Sequence, residues 1–135
     1  MAFTYSRRWS GPAQAVIFDM AGTVMDFGSR ARLYAEFIPL QAASLPGYAE
    51  LVPGMLDTAA ELRRRGLKLA ANSGYSREML EVCLAAAERQ GLRFDSAVAA
   101  SDVPRARPLP AMCLVNAAQL AVESVAACIK VDDTL

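Results

Sequence analysis

An unbroken apolar run, Ala15-Val16-Ile17-Phe18, stops on a carboxylate, Asp19, and opens at once into the small-residue stretch "MAGTVMDFGS". A strand with one wet face alternates apolar and polar residues. A run without alternation belongs to a parallel strand covered on both faces. Parallel neighbours need long crossovers, so a chain that begins this way must go on to supply helices and further strands.

The rest of the sequence does so. Residues 20–30 read as loop, and 31–44, "ARLYAEFIPLQAAS", as a helix broken by Pro39. "PGMLDTAAELRRRG" places Pro53 at a helix start and Gly66 at its end. Residues 67–72 form the next strand. Ser76 is a fitting N-cap for a helix that Gly91 stops, with Met79, Val82, Cys83 and Ala86 on one face. "SAVAAS", 96–101, is a third strand and "DVPRARPLP" a proline-rich loop. Residues 111–122 carry Leu114, Ala117, Ala118 and Ala121 on one helical face, and 127–133 form a last strand that again ends on acids. Strand and helix in alternation predict an α/β fold: a three-layer, Rossmann-like parallel sheet with helices on both faces. One domain over 1–135 is expected, with 1–13 as a leader. No repeat, low-complexity segment or linker interrupts it.

Composition narrows the chemistry. The 135 residues are 54% hydrophobic and 21% charged, enough for one real core. Lys+Arg and Asp+Glu are 14 each, so bulk charge attracts neither nucleic acid nor an anionic membrane. No apolar stretch has the length of a membrane span, and the N-terminus lacks the apolar core of a secretory signal. Cys83, Cys113 and Cys128 read as buried thiols in a reducing compartment, which points to the cytoplasm. Without a single histidine, Ser-His and Cys-His catalysis and the usual zinc sites are excluded.

In open α/β sheets the ligand lies beyond the carboxyl ends of the strands. Polar residues fall there four times: Asp19, then Ser73, then the Arg107 loop, then Asp133. Singly, each is an ordinary turn former, surface arginine or solvated acid. Their order along one sheet is what makes them a candidate site.

The phrases "VIFDMAGTVMDFGS", "NSGYSREML", "SDVPRARPLPAMCLVNAAQL" and "IKVDDT" resemble the haloacid dehalogenase superfamily of phosphoryl-transfer enzymes, and within it the phosphonatases, which hydrolyse phosphonoacetaldehyde. Ala21, where most of the superfamily has a second aspartate, is the phosphonatase choice. The resemblance implies Asp19 as a nucleophile that forms an aspartyl-phosphate. It implies Mg²⁺ held by Asp19, the carbonyl of Ala21 and Asp133. Ser73 and the Gly74 amide would donate to phosphoryl oxygens, Arg107 would supply the fixed positive charge, and Gly22 and Thr23 would shape the loop after the nucleophile. Tyr75 follows the Ser-Gly pair as in the family.

The chain also departs from that pattern. Phosphonatases use a lysine of a helical cap to form a Schiff base with the aldehyde, so that the carbon leaving group departs as an enamine. Asp26 and Pro53 are too close in sequence to enclose such a cap, and 31–50 reads as its remnant. The two lysines, Lys68 and Lys130, match no Schiff-base position. The resemblance also implies further chain beyond Leu135, without which the sheet has an open edge suited to pairing with a second copy. Three functions therefore stand: a phosphonatase-like hydrolase acting on a small phosphonate, a capless phosphatase for a larger phosphorylated substrate, and an inactive remnant that binds Mg²⁺ and phosphate.

Overall fold

The computed structural model describes residues 11–20, 23–26, 44 and 49–132. Its central sheet has four parallel strands: β1 (Ala15–Asp19), β4 (Lys68–Ser73), β5 (Ser96–Ala99) and β6 (Cys128–Val131), in the order β5-β4-β1-β6. All five residues of β1 are buried, as its unalternated run requires. The chain steps outward from β1 to β4 and β5, then returns to the other side of β1 as β6. The reversal falls between β1 and β6, so the crevice at their carboxyl ends is the topological switch point. Among the described strands β6 is an edge, and its Ile129 is 43% exposed.

Helices α1 (Met55–Arg64) and α2 (Arg77–Arg89) cover one face of the sheet, where Val16, Phe18, Leu69 and Ala71 pack with Met55, Ala59, Leu80 and Cys83. Helix α3 (Ala111–Gln119) covers the other, where Ala15, Ile17 and Ala70 meet Leu120, Cys113 and Cys128. Ser76 caps α2 through its hydroxyl, which accepts from Met79 N at 3.5 Å.

Each helix ends in the same paired hydrogen bonds that close a left-handed C-terminal turn. For α1, Gly66 N donates to Arg63 O and Leu67 N to Leu62 O; for α2, Gly91 N donates to Glu88 O and Leu92 N to Ala87 O. For α3 the left-handed position is filled by Ala121 (φ 50°), where a Cβ is strained.

Several boundaries differ from the sequence reading. Helix α1 starts at Met55 and not at Pro53, because Gly54 takes a left-handed φ of 84° and becomes the N-cap. Strand β5 stops at Ala99, where Asp102 Oδ2 accepts from Ala99 N at 2.7 Å and turns 100–102 into a short 3₁₀ helix. The inward face of α3 is Met112, Asn116, Ala117 and Leu120; Leu114, Ala118 and Ala121 are exposed. Asn116 turns inward because its amide is satisfied there: Nδ2 donates to Ala71 O at 2.9 Å, and Oδ1 accepts from Ser96 Oγ at 2.6 Å.

The expected loop 20–30 contains a short strand, β2 (Met25–Asp26), paired antiparallel with β3 (Glu50–Leu51). Gln90 pins this ribbon to α2: its Oε1 accepts from Leu51 N at 3.0 Å, and its Nε2 donates to Ala49 O at 2.7 Å. All of the expected helix over 31–44 except Ser44, which is helical, and most of the cap remnant over 31–50 lie outside the described residues, as does the bulk of the leader. No helix among the described residues is long and apolar enough to cross a membrane.

Candidate active site

Asp19 is the last residue of β1 and stands at the switch point with only 4% of its surface exposed. The turn after it is tight: Val24 N and Met25 N both donate to Met20 O, at 3.1 and 2.8 Å. On the side of α3, the proline-rich loop delivers Arg107, whose Nη2 donates to Asp19 Oδ1. The base of that loop is fixed by Asp102, which accepts from Arg77 Nε at 3.1 Å as well as from Ala99 N. From the end of β6, Asp132 Oδ2 lies 3.6 Å from Arg107 Nη2 and 2.8 Å from Lys130 Nζ.

Burial raises the pKa of Asp19, because a carboxylate out of water is disfavoured. The hydrogen bond and charge of Arg107 oppose that rise without cancelling it, and the negative charge of Asp132 adds to it. Burial also works against the charge on Arg107, but the hydrogen bond to Asp19 and the pull of both carboxylates outweigh it and raise the Arg107 pKa. The arginine stays charged, and the aspartate is a desolvated carboxyl group beside it.

Asp19 and Arg107, 88 residues apart, are thus brought together. Ser73 ends β4, fully buried, and its Oγ accepts from Tyr75 N at 3.2 Å; its own proton remains to donate. Gly74 has open space where a Cβ would stand. Tyr75 packs into the core on the α1–α2 side, and its carbonyl accepts from Ala100 N at 3.1 Å. Thr23 lies in the turn after Asp19. Ala21, Gly22 and Asp133 lie outside the described residues.

Two further residues carry signals that the sequence reading did not use. Asn72 pairs in register with Asp19 on the neighbouring strand and is 1% exposed. Its Nδ2 lies 3.2 Å from Cys113 Sγ, while its Oδ1 has no partner. Among the described residues, only that oxygen and Thr23 Oγ1 are buried side-chain polar atoms left without a hydrogen bond; one lies on the strand beside Asp19 and the other in the turn after it. Asp132 is exposed and also pairs with Arg107 and Lys130, which joins it to the charged row beside Asp19. The cysteines are less buried than expected: Cys83 is buried, with its thiol pushed up to about 11 by burial, whereas Cys113 and Cys128 are half-buried.

A desolvated aspartate at the switch point of a parallel sheet, held by an arginine from the loop before α3, fits a class found by comparison as well. Residues 40–135 match the family of haloacid dehalogenase-like hydrolases, and the chain belongs to it. Within that family its sequence relatives include phosphonoacetaldehyde hydrolases. The one from Hahella chejuensis is 36% identical over 195 residues, covering all of this chain and 66% of the relative. That from Bordetella avium is 43% identical over 113 residues, 84% of this chain and 40% of the relative. That from Syntrophobacter fumaroxidans is 30% identical over 193 residues, 98% of this chain and 70% of the relative. The chain therefore spans between 40% and 70% of the length of these three relatives.

Among solved structures, a phosphonoacetaldehyde hydrolase-like protein from Oleispira antarctica superposes with a TM-score of 0.83 at 28% identity, over 99% of this chain and 70% of that one. A hydrolase of the same superfamily from Ehrlichia chaffeensis gives 0.67 at 17% identity, over 93% and 82%, and shows the fold alone.

Proposed function

We propose that this chain carries the phosphoryl-transfer half of a phosphonatase-like hydrolase, with Asp19 as the nucleophile. The observation that carries the reading is the buried Asp19 carboxylate at the end of β1, bonded to Arg107. One carboxylate oxygen attacks phosphorus as the P–C bond of a phosphonate, or the P–O bond of an ester, breaks; the leaving group departs with the electron pair and takes up a proton, and an acyl phosphate is left on Asp19. Arg107, with several donors in a planar fork, balances the charge on the phosphoryl oxygens. Ser73 donates its proton and the Gly74 amide its N–H to the same group. Water then cleaves the acyl phosphate and frees Asp19.

The donor chemistry at the rim fits a hard cation. Asp19 presents a carboxylate oxygen there, and Asp133 and the Ala21 carbonyl would complete an oxygen set for Mg²⁺, while Asp132 is taken up by Arg107 and Lys130. Bound Mg²⁺ would neutralise charge on the attacked phosphoryl group.

The leaving group is where the relatives and this chain part. Both lysines are engaged: Lys68 Nζ donates to Leu120 O at 2.5 Å, and Lys130 Nζ to Val131 O and Asp132 Oδ2, each at 2.8 Å. Neither ammonium is presented as a free amine to an aldehyde. This favours a second reading, in which the chain by itself hydrolyses a phosphate ester, whose oxygen leaving group needs no enamine. The test is phosphate release from phosphonoacetaldehyde and from p-nitrophenyl phosphate, with Mg²⁺, before and after borohydride. Release from the aldehyde with a borohydride-trapped lysine adduct supports the phosphonatase. Release from the ester alone, abolished in Asp19→Asn, supports the phosphatase. Release from neither overturns both.

A further inference from the structure

Arg107 is shared. Its guanidinium bonds Asp19 and also lies 3.6 Å from Asp132, and that same Asp132 oxygen holds the Lys130 ammonium at 2.8 Å. Asp19, Arg107, Asp132 and Lys130 therefore form a row of alternating charge along the ends of β1 and β6. The row sums to zero. Both of its cations touch Asp132, which occupies donors that an incoming anion would otherwise use.

We propose that Asp132 is an internal counter-anion: it holds Arg107 and Lys130 in place of a ligand's oxygens and so limits how tightly the site grips a phosphoryl or phosphonyl group. This rests on the anion-binding reading above and adds a residue that sets affinity by opposing it.

Two effects of Asp132 work against each other. It preorganises Arg107, but an ion pair at 3.6 Å to a half-exposed guanidinium contributes little. It also repels any anion bound at Asp19. The Asp132 side chain is 23% exposed and stands beside the buried Asp19, so both effects are screened alike. A phosphate carries up to two negative charges against the single positive charge of Arg107, so the repulsion is the larger effect. Its value to an enzyme lies in release, because a site that holds its phosphate product loosely clears it faster.

The probe is inorganic phosphate at saturating Mg²⁺, titrated by calorimetry into the wild type, Asp132→Asn, Lys130→Met, the double variant and Arg107→Ala, each checked for a native melting transition. Asp132→Asn is expected to bind phosphate about three- to ten-fold more tightly, with a steeper dependence on salt. Lys130→Met leaves Asp132 unbalanced and is expected to bind more weakly by a similar factor, and the double variant to return close to wild type. If Arg107→Ala abolishes binding but Asp132→Asn weakens it or leaves it unchanged, the counter-anion role is wrong and the anion site stands. If neither the wild type nor Asp132→Asn binds phosphate, both readings are overturned.

Discussion

Two groups of buried polar side chains lie on the α3 side of the sheet, and they are built in opposite ways. In the first, midway along the strands, Ser96, Asn116 and the Ala71 carbonyl satisfy one another at 2.6 and 2.9 Å. In the second, at the carboxyl ends, Asp19 is ionisable yet desolvated, and polar atoms are left over on Asn72 of the neighbouring strand and Thr23 of the turn that follows. Unsatisfied buried polar groups cost free energy and persist where something other than stability retains them. The mid-strand group holds the fold together. The group at the strand ends lowers its stability, as expected of residues kept for the chemistry proposed above.

Substitutions sharpen that contrast. The largest effect falls on activity: Asp19→Asn is expected to lower phosphate release at least about 10³-fold, because the nucleophile is gone. The same change is expected to leave stability equal or higher at neutral pH. The sign follows from linkage. The Asp19 pKa is raised in the folded chain, so the folded state holds a proton that the unfolded state has lost. Stability of the metal-free protein therefore falls as pH rises from the ordinary aspartate pKa through the raised folded value, then levels. Urea melts in EDTA across the acid range should show the advantage of Asp19→Asn opening in that window. An advantage that shrinks with rising pH contradicts the assignment.

In the satisfied group the order reverses. Asn116→Ala takes a donor from the Ala71 carbonyl and one of two acceptors from Ser96, which keeps Gln119, and leaves a void; it is expected to cost about 3 kcal/mol in urea unfolding. Phosphate affinity per folded molecule should remain. A loss of affinity at full folding would erase the distinction between the two groups.

Ala121→Gly relieves a left-handed alanine far from the carboxyl ends and is expected to add about 1 kcal/mol with no effect on anion binding. The smallest effect is expected from Thr23→Val, which removes an orphaned hydroxyl at nearly constant volume. Its stability should hold or rise by up to about 1 kcal/mol, while its phosphate affinity falls. Destabilisation would show that the hydroxyl has a partner of its own.

The parts of this molecule that were legible in sequence are those fixed by local rules. The unalternated run 15–18 announces a doubly covered strand, Ser76 and Gly91 bracket α2, and the strand-end rule brings Asp19 and Arg107 together across 88 residues. The face of α3 was misread because an apolar pattern treats Asn116 as outward and Leu114 as inward. Which one turns in is decided by hydrogen bonds to Ser96 and Ala71, two other elements. Gln90 likewise looks like the last polar residue of a helix until Leu51 and Ala49 arrive to use its amide. Asp132 and Lys130 were not assigned to the site because only the position of Arg107 joins them to Asp19.

The central claim is that Asp19 accepts the phosphoryl group. It is tested most directly by rapid acid quench of the protein turning over p-nitrophenyl phosphate or phosphonoacetaldehyde with Mg²⁺, followed by peptide mass spectrometry. The account predicts one added phosphoryl group on the peptide that contains Asp19, absent in Asp19→Asn. Phosphate released with no such adduct, or an adduct that survives Asp19→Asn, would contradict it.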